Sequence, residues 1–439
     1  MLEYDKLLTL KERNVSNKAN NLTAWKIYPW LVWSIGALFF FVMYTARVSP
    51  GIIQDQLMID FGIKATQFGT LTGVFYVTYL AMQLPVGGLV DRYGAHRLLL
   101  TTTALFAIAC FMFATSHSFY VLLLARLFMG FAGSFAFICT FKLAMIWFPP
   151  SMLGLLAGLT QCSGMLGAAF GEGPLSYAAT TYGWRGLLTG IGVTTTCLSL
   201  AALIVMRPPP KNKLSPVGSW SDLWLGLGHV LSNPQSWLNA LFAGLIFMPT
   251  LAFGEAWGAP YLIQAKGFSL HQAGMAESFL FAGWVIGGVL VGSLSDWMQK
   301  RKPVFFGSAF ISAGLFALLI EIPDLTYTAS CIILFGYGLV NTGLIASYAL
   351  SGEINSMKVS GVSVSFCNLV SVLIGAIFVP MIGWMFDQYD PVVVNGVFVY
   401  PKVAYDQVFI VFPIILVIAG IVAYFIQETH CRNIEDQPK

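Results

Sequence analysis

The sequence predicts an all-α membrane protein, with twelve transmembrane helices in two pseudo-symmetric six-helix bundles. Three observations predict it: a chain starved of charge, a series of long apolar windows, and a loop pattern that recurs at the same place in each half. Of 439 residues, 23 are basic and 20 acidic, while 57% are apolar. Globular chains carry roughly 25% charged residues against 10% here, so a soluble enzyme is excluded. The mean hydropathy of +0.75 also excludes an outer-membrane barrel, because barrel strands alternate lipid-facing and lumen-facing residues and lack long apolar runs.

A hydrocarbon core of ~30 Å takes about 20 residues of helix. Windows of that size fall near 29–53, 67–90, 98–115, 119–144, 152–175 and 184–206 in the first half. They fall near 238–263, 273–295, 303–322, 327–351, 360–386 and 405–427 in the second. Residues 1–28 are polar and basic and run into the first window without an A-x-A-like cleavage site, so they read as a cytoplasmic segment before an uncleaved span. Bundles are expected over 29–206 and 238–427, with a linker over 207–237 and a cytoplasmic tail over 428–439. An even number of spans puts both termini on one side. If that side is cytoplasmic, its segments hold sixteen Lys and Arg, whereas the outer loops hold three, Lys64, Lys266 and Lys402. Such a bias orients a bacterial inner-membrane protein with both termini inside. In the linker, Leu223, Leu227, Val230 and Leu231 recur at helical spacing beside Trp220 and Trp224. They read as an amphipathic helix on the inner leaflet or as a turn with fortuitous periodicity.

After the second window comes G-G-L-V-D-R-Y-G-A-H-R (Gly87 to Arg97), and after the eighth comes G-S-L-S-D-W-M-Q-K-R-K (Gly292 to Lys302). Both contain G-x-x-x-D followed by basic residues, as in internally duplicated transporters. At these residues the chain resembles the major facilitator superfamily. The resemblance implies its fold, and it implies that Gly87, Asp91, Arg92, Gly94, Arg97 and Asp296 form conformational latches between the halves. The second copy lacks the second glycine, so its latch is expected to be weaker. L-V-W-S-I-G-A-L-F-F-F (Leu31 to Phe41), A-R-V-S-P-G-I (Ala46 to Ile52), F-G-E-A-W-G-A-P-Y-L (Phe253 to Leu262) and S-G-E-I-N (Ser351 to Asn355) are similar to the bacterial phagosomal nutrient-transporter group. That group takes up amino acids or nucleosides, and its relatives move polycarboxylate siderophores.

Charge in the bilayer core is costly unless it faces a cavity or a partner, so each such residue is a site candidate. At 1.5 Å per residue, Arg47 lies ~24 Å along its span and Arg126 ~10 Å below the outer surface. Two guanidiniums facing one cavity would make a fork for a carboxylate. The alternative is that Arg126 organises helix contacts through backbone carbonyls and Arg47 snorkels outward. Glu255 and Glu277 lie ~25 Å and ~24 Å from the inner side, level with the arginines. Basic groups in one half and acidic groups in the other suit a zwitterion, although either glutamate could instead carry a proton or close a gate. The anion-cation symporter branch of the superfamily has acids where this chain has Ala46 and Gly133, so a coupling proton would ride on Glu255, Glu277 or Glu172. Tyr44, Tyr76, Asn341 and Asn368 are expected to line the cavity. Lys142 and Glu353 could form an inner salt bridge.

The seven cysteines are scattered without C-x-x-C spacing and read as small packing residues. No pair of histidines has metal-ligand spacing, and no G-x-x-x-x-G-K-[ST] loop is present. No cofactor or metal is expected, and a proton gradient is the expected driver. A net charge of +3 without a basic run gives no reason to expect a nucleic-acid partner. The expected partners are a small-molecule substrate and the lipid bilayer, with the monomer as the working unit. The expected function is proton-coupled uptake of a small polar metabolite such as an amino acid, by alternating access and without enzyme chemistry. Transport or export of a carboxylate-rich siderophore is the alternative, and a transporter-like ligand sensor is an alternative of another class.

Overall fold

The computed structural model describes residues 27–83, 85–149, 152–208, 220–356, 359–394 and 397–434. The expected segment before residue 27, most of the linker before Trp220 and the last five residues lie outside the described residues. Twelve spans are present among those described. In the amino half they are α1 (Ile27–Val48), α2 (Ala65–Met82 continued by Pro85–Tyr93), α3 (Ala95–Ala114) and α4 (Phe119–Trp147). α5 (153–182) and α6 (184–205) follow as one run of helical residues that turns back at Gly183, where φ is 68° and an L side chain would be strained. In the carboxyl half they are α7 (Pro234–Gln264), α8 (Leu270–Met298), α9 (Lys302–Glu321), α10 (Tyr327–Glu353), α11 (Ser360–Phe386) and α12 (Lys402–Phe425).

The first span is shorter than its apolar window suggests. It ends at Val48, before Pro50, and the chain then makes a separate short helix, Gln54–Phe61. That helix is tied to the α5–α6 turn, where Asp60 Oδ2 accepts from Trp184 Nε1 at 2.9 Å and from Arg185 Nη1 at 2.6 Å. The linker periodicity does form a helix, Trp220–Ser232, with Val230 fully buried and Trp224 and Leu225 exposed. Between α11 and α12 a two-stranded antiparallel hairpin pairs Val392 with Val399 and Val394 with Val397.

Both described chain ends lie on one face, termed proximal, and the opposite face is distal. Within the amino half, α5 packs tightly on α1: a Cβ at Gly167 would come within 2.2 Å of the Phe41 carbonyl oxygen. Small residues allow such backbone approach in membranes, where helix association depends on packing and hydrogen bonds rather than on apolar burial. The two halves meet along α5 against α8 and along α2 against α11. Their tight crossings are all distal. The Gly274 backbone faces the Glu172 carbonyl, Gly69 faces Val379 and Pro380, and Gly383 faces Ala65. The molecule is therefore shut on the distal side.

Candidate substrate cavity and its gate

A cavity of about 480 Å³ lies between the halves. Its lining runs from Arg47 at the distal end of α1 to Ala157, Gly158, Val364 and Ser365, within two turns of the proximal ends of α5 and α11. Access is from the proximal face. Phe40, Phe137, Met165, Phe247 and Trp284 supply an apolar wall, while Tyr44, Tyr79, Gln83, Gln161, Tyr348 and Asn368 supply polar groups. Asn368 donates to Gln83 Oε1 at 3.2 Å and accepts from the Tyr348 hydroxyl at 2.9 Å, so a carboxyl-half side chain reaches the amino half across the cavity.

Among the described lining residues, Arg47 is the single charged side chain. It is 2% exposed, and its guanidinium forms a fork with Glu255 across the interface of the halves. Nε donates to Oε2 at 2.7 Å and Nη2 donates to Oε1 at 2.6 Å. The Tyr76 hydroxyl donates to the same Oε2 and accepts from Arg47 Nε at 3.1 Å. The Tyr44 ring lies under the guanidinium at 4.7 Å and the Tyr76 ring at 5.0 Å. Planar guanidinium suits both interactions, two parallel bonds to a carboxylate and stacking on aromatic faces.

Glu255 reaches Arg47 because α7 is irregular there. Phe253–Trp257 is one π-helical turn, closed by the Gly258 N–H on the Phe253 carbonyl, five residues back. It follows Pro249, which removes a donor from the helix interior, and it precedes Pro260. Single π turns inside α-helices re-aim side chains and are frequent at functional sites. Sequence spacing alone put Glu255 at the right depth but gave no sign of the turn that aims it.

Arg126 stays out of the cavity lining. It is 1% exposed, and its guanidinium donates to the carbonyls of Ala46 at 3.1 Å, Arg47 at 3.3 Å and Thr72 at 3.4 Å, above the Phe75 ring. It thereby joins α4 to α1 and α2 directly behind Arg47. Asn341 is also held within its own half, donating to the Ile246 carbonyl at 3.0 Å and accepting from the Thr250 hydroxyl at 3.0 Å. Glu277 and Glu172 sit in the distal seam, one on each side of the α8–α5 crossing, and both are 1% exposed.

At the proximal face, Gly94 adopts φ 87° at the turn from α2 to α3, and Arg92 and Arg97 are exposed. The Asp91 side chain lies outside the described residues. In the second copy, Gln299 occupies the left-handed position that glycine would favour, with φ 51°, and its side chain donates to the Asp296 carbonyl at 2.7 Å. Asp296 is paired with Arg301 at 2.8 Å, and Arg301 also pairs with Glu353 at 2.5 Å. The Glu353 carboxylate is thus engaged within its own half, by Arg301 and by the Thr429 hydroxyl. The tail that supplies Thr429 had no signal in spacing or periodicity.

The family model for the Major Facilitator Superfamily matches residues 32–380. A probable sulfoacetate transporter of Cupriavidus necator is 23% identical over 317 residues, covering 69% of this chain and 73% of that protein. A probable L-galactonate transporter of Escherichia coli K12 is 26% identical over 319 residues, covering 68% of this chain and 69% of that protein. Among solved structures, a bacterial homologue of the human lysosomal transporter Spinster, inward-facing and unoccupied, is similar with a TM-score of 0.77 at 18% identity. It spans 94% of this chain and 99% of that one. Twelve spans in two halves, a central cavity open to one face and the match over most of its length agree: this chain belongs to the major facilitator superfamily, as a multi-pass membrane transporter and not an enzyme.

Proposed function

We propose that the protein takes up a small carboxylate-bearing metabolite, an amino acid in the first instance, across the bacterial inner membrane with protons. The observation that carries this reading is the Arg47–Glu255 fork at the apex of the cavity, with one partner from each half. A zwitterion inserted into that pair gives its carboxylate to Arg47 and its ammonium to Glu255, replacing each buried charge's lost partner. The aromatic wall beyond it suits an apolar side chain. A single guanidinium in the described lining argues against a polycarboxylate siderophore, which would leave further carboxylates unpaired at a cost of several kcal/mol each. The Lys and Arg bias supports a cytoplasmic proximal face. Glu255, Glu277 and Glu172 are the acids proposed for the coupling proton. The monomer, which contains the whole cavity, is the proposed working unit.

A second reading is an organic acid without an amine, favoured by the sulfoacetate and L-galactonate transporters among the relatives. There Glu255 must leave Arg47 before the substrate binds, and protonation on release makes it the coupling group. Uptake into proteoliposomes under an imposed pH gradient, measured across amino acids, nucleosides, sugar acids, sulfoacetate and citrate, tests both. Accumulation of an amino acid supports the first, and accumulation of an amine-free acid alone replaces it with the second. Binding of either without gradient-driven flux would instead indicate a sensor.

A further inference from the structure

Glu172 on α5 and Glu277 on α8 face each other across the distal seam, where the two halves are pressed together. Their carboxyl groups lie within hydrogen-bonding reach of each other. As ionised groups they would offer only acceptors: Glu172 Oε1 and Oε2 and Glu277 Oε2 have no hydrogen-bond donor among the described residues. Buried polar atoms without partners are rare, and a pair of carboxyls left so calls for an explanation. Two adjacent ionised carboxylates in a buried seam would add mutual repulsion to that cost.

Among the described residues, no cation is paired with either carboxyl. Glu255 on α7 also acts on Glu172 through its charge, and it is itself paired with Arg47 of α1. His271, at the distal start of α8, turns its Nδ1 to the Ser176 hydroxyl at 3.4 Å. From α7, the Ala259 N–H is directed to Glu277 and not to Glu172. Glu277 thus already accepts one donor, whereas both Glu172 oxygens are left without one among the described residues. Neighbouring contacts make this a joint between the halves, since the Ser278 hydroxyl of α8 donates to the Ala169 carbonyl of α5 at 2.6 Å.

We propose that one proton is shared between Glu172 and Glu277, and that this proton holds the distal seam closed. Glu172 donates to Glu277, which also accepts from the Ala259 N–H, so the proton joins α5 of one half to α7 and α8 of the other. When the seam opens, distal water reaches both carboxyls and the proton can leave; the seam closes again only after one carboxyl has been reprotonated from that side. The sign follows directly. The closed state binds one more proton than the open state, so acid favours closure and alkali favours opening. This proton loads and leaves on the distal side, so it sets the pH response of the gate without itself crossing the membrane, and the proposal needs no particular substrate.

The test places spin labels at Lys64→Cys in the amino half and Lys402→Cys in the carboxyl half, with the native cysteines replaced. Electron-electron distances are then measured without substrate from pH 5.5 to 8.5. A longer, open component should grow with pH, with the open-to-closed ratio rising by up to about tenfold per unit for a one-proton difference. Glu172→Gln keeps a donor in place and should remain closed at every pH. Glu277→Gln, which donates to Glu172 instead, should do the same and serves if the first variant folds poorly. A wild-type distribution that ignores pH overturns the proposal, and so does either glutamine variant that keeps the wild-type pH response. Because no substrate is present, failure here leaves the Arg47 site standing, and failure of uptake leaves this result standing.

Discussion

In the proposed cycle the Arg47 guanidinium serves two partners in turn, the Glu255 carboxylate of its own protein and an incoming carboxylate. Both are bidentate interactions of one geometry, so the energetic cost of breaking the first is largely returned by the second. Lysine keeps the charge but loses the fork and the stacking on Tyr44 and Tyr76. Arg47→Lys should therefore weaken substrate binding by about 1.4–2.8 kcal/mol, a tenfold to hundredfold rise in Kd measured by titration calorimetry. Unchanged affinity would remove the carboxylate from Arg47. Glu255→Gln separates the two substrate readings by sign. An amino acid loses the partner of its ammonium and binds more weakly, whereas an amine-free acid loses a competitor for Arg47 and binds more tightly. The depth of this pair was legible because rise per residue places a charge along a span without further knowledge. Depth does not say which way a side chain turns, and so Arg126, at a height where a cavity role was open to it, proves to be committed to three backbone carbonyls.

Among the elements, α9 illustrates how a short-range signal fails and a long-range one takes over. Its first residues, Lys302 and Pro303, follow Arg301, which offers no side-chain cap. The cap comes from the tail, where Glu428 accepts from the N–H groups of Arg301 at 2.9 Å and Lys302 at 2.9 Å, and also from Thr429 and His430. A carboxylate at a helix amino terminus satisfies orphan donors and meets the positive end of the macrodipole. Burial pushes the Glu428 carboxyl up, but the backbone hydrogen bonds from Arg301, Lys302 and His430 and the His430 charge outweigh it and hold it below the ordinary glutamate range. Its stabilisation is thus complete above that range and is lost as pH falls through the depressed value. Glu428→Ala should cost about 1 kcal/mol, typical of a lost cap, and lower the thermal unfolding midpoint near neutral pH. The difference from wild type should shrink on strong acidification. A midpoint unchanged at neutral pH would deny the cap any energetic role. Apolar windows located the spans well, since 360–386 coincides with α11 and 238–263 falls inside α7. Capping by a residue more than a hundred positions away leaves no periodic trace, and neither does the π turn of α7.

For the whole molecule, closure is a property of contacts that exist in one state and vanish in the other, and these were the least legible in the sequence. The repeated G-x-x-x-D loops marked the proximal face as a place of latching, yet in this proximal-open state the described contacts of Asp296 and Arg301 stay within one half. The distal side carries the matching device in a form no motif announced. Asp387, at the end of α11, accepts from the Thr66 N–H at 3.0 Å and the Thr66 hydroxyl at 2.5 Å, so a carboxyl-half aspartate caps the first turn of amino-half α2. The Tyr400 hydroxyl donates to its other oxygen at 2.9 Å and fixes its direction. Separation of the halves on this side must break the cap, whereas opening on the proximal side need not. Removing it should then destabilise the distal-closed state by about 1–2 kcal/mol and leave the other state untouched, raising the distal-open population about fivefold to thirtyfold. The variant to use is Asp387→Ala with Ser278→Cys as reporter, since Ser278 bridges α8 to α5 in the closed seam, in a protein whose native cysteines are replaced. Alkylation by a membrane-impermeant maleimide added from the distal side should accelerate by that factor. An unchanged rate would mean that the Asp387–Thr66 contact accompanies closure without stabilising it, and would leave the charge pair at Arg47 and the seam around Glu172 as the contacts that hold the distal side shut.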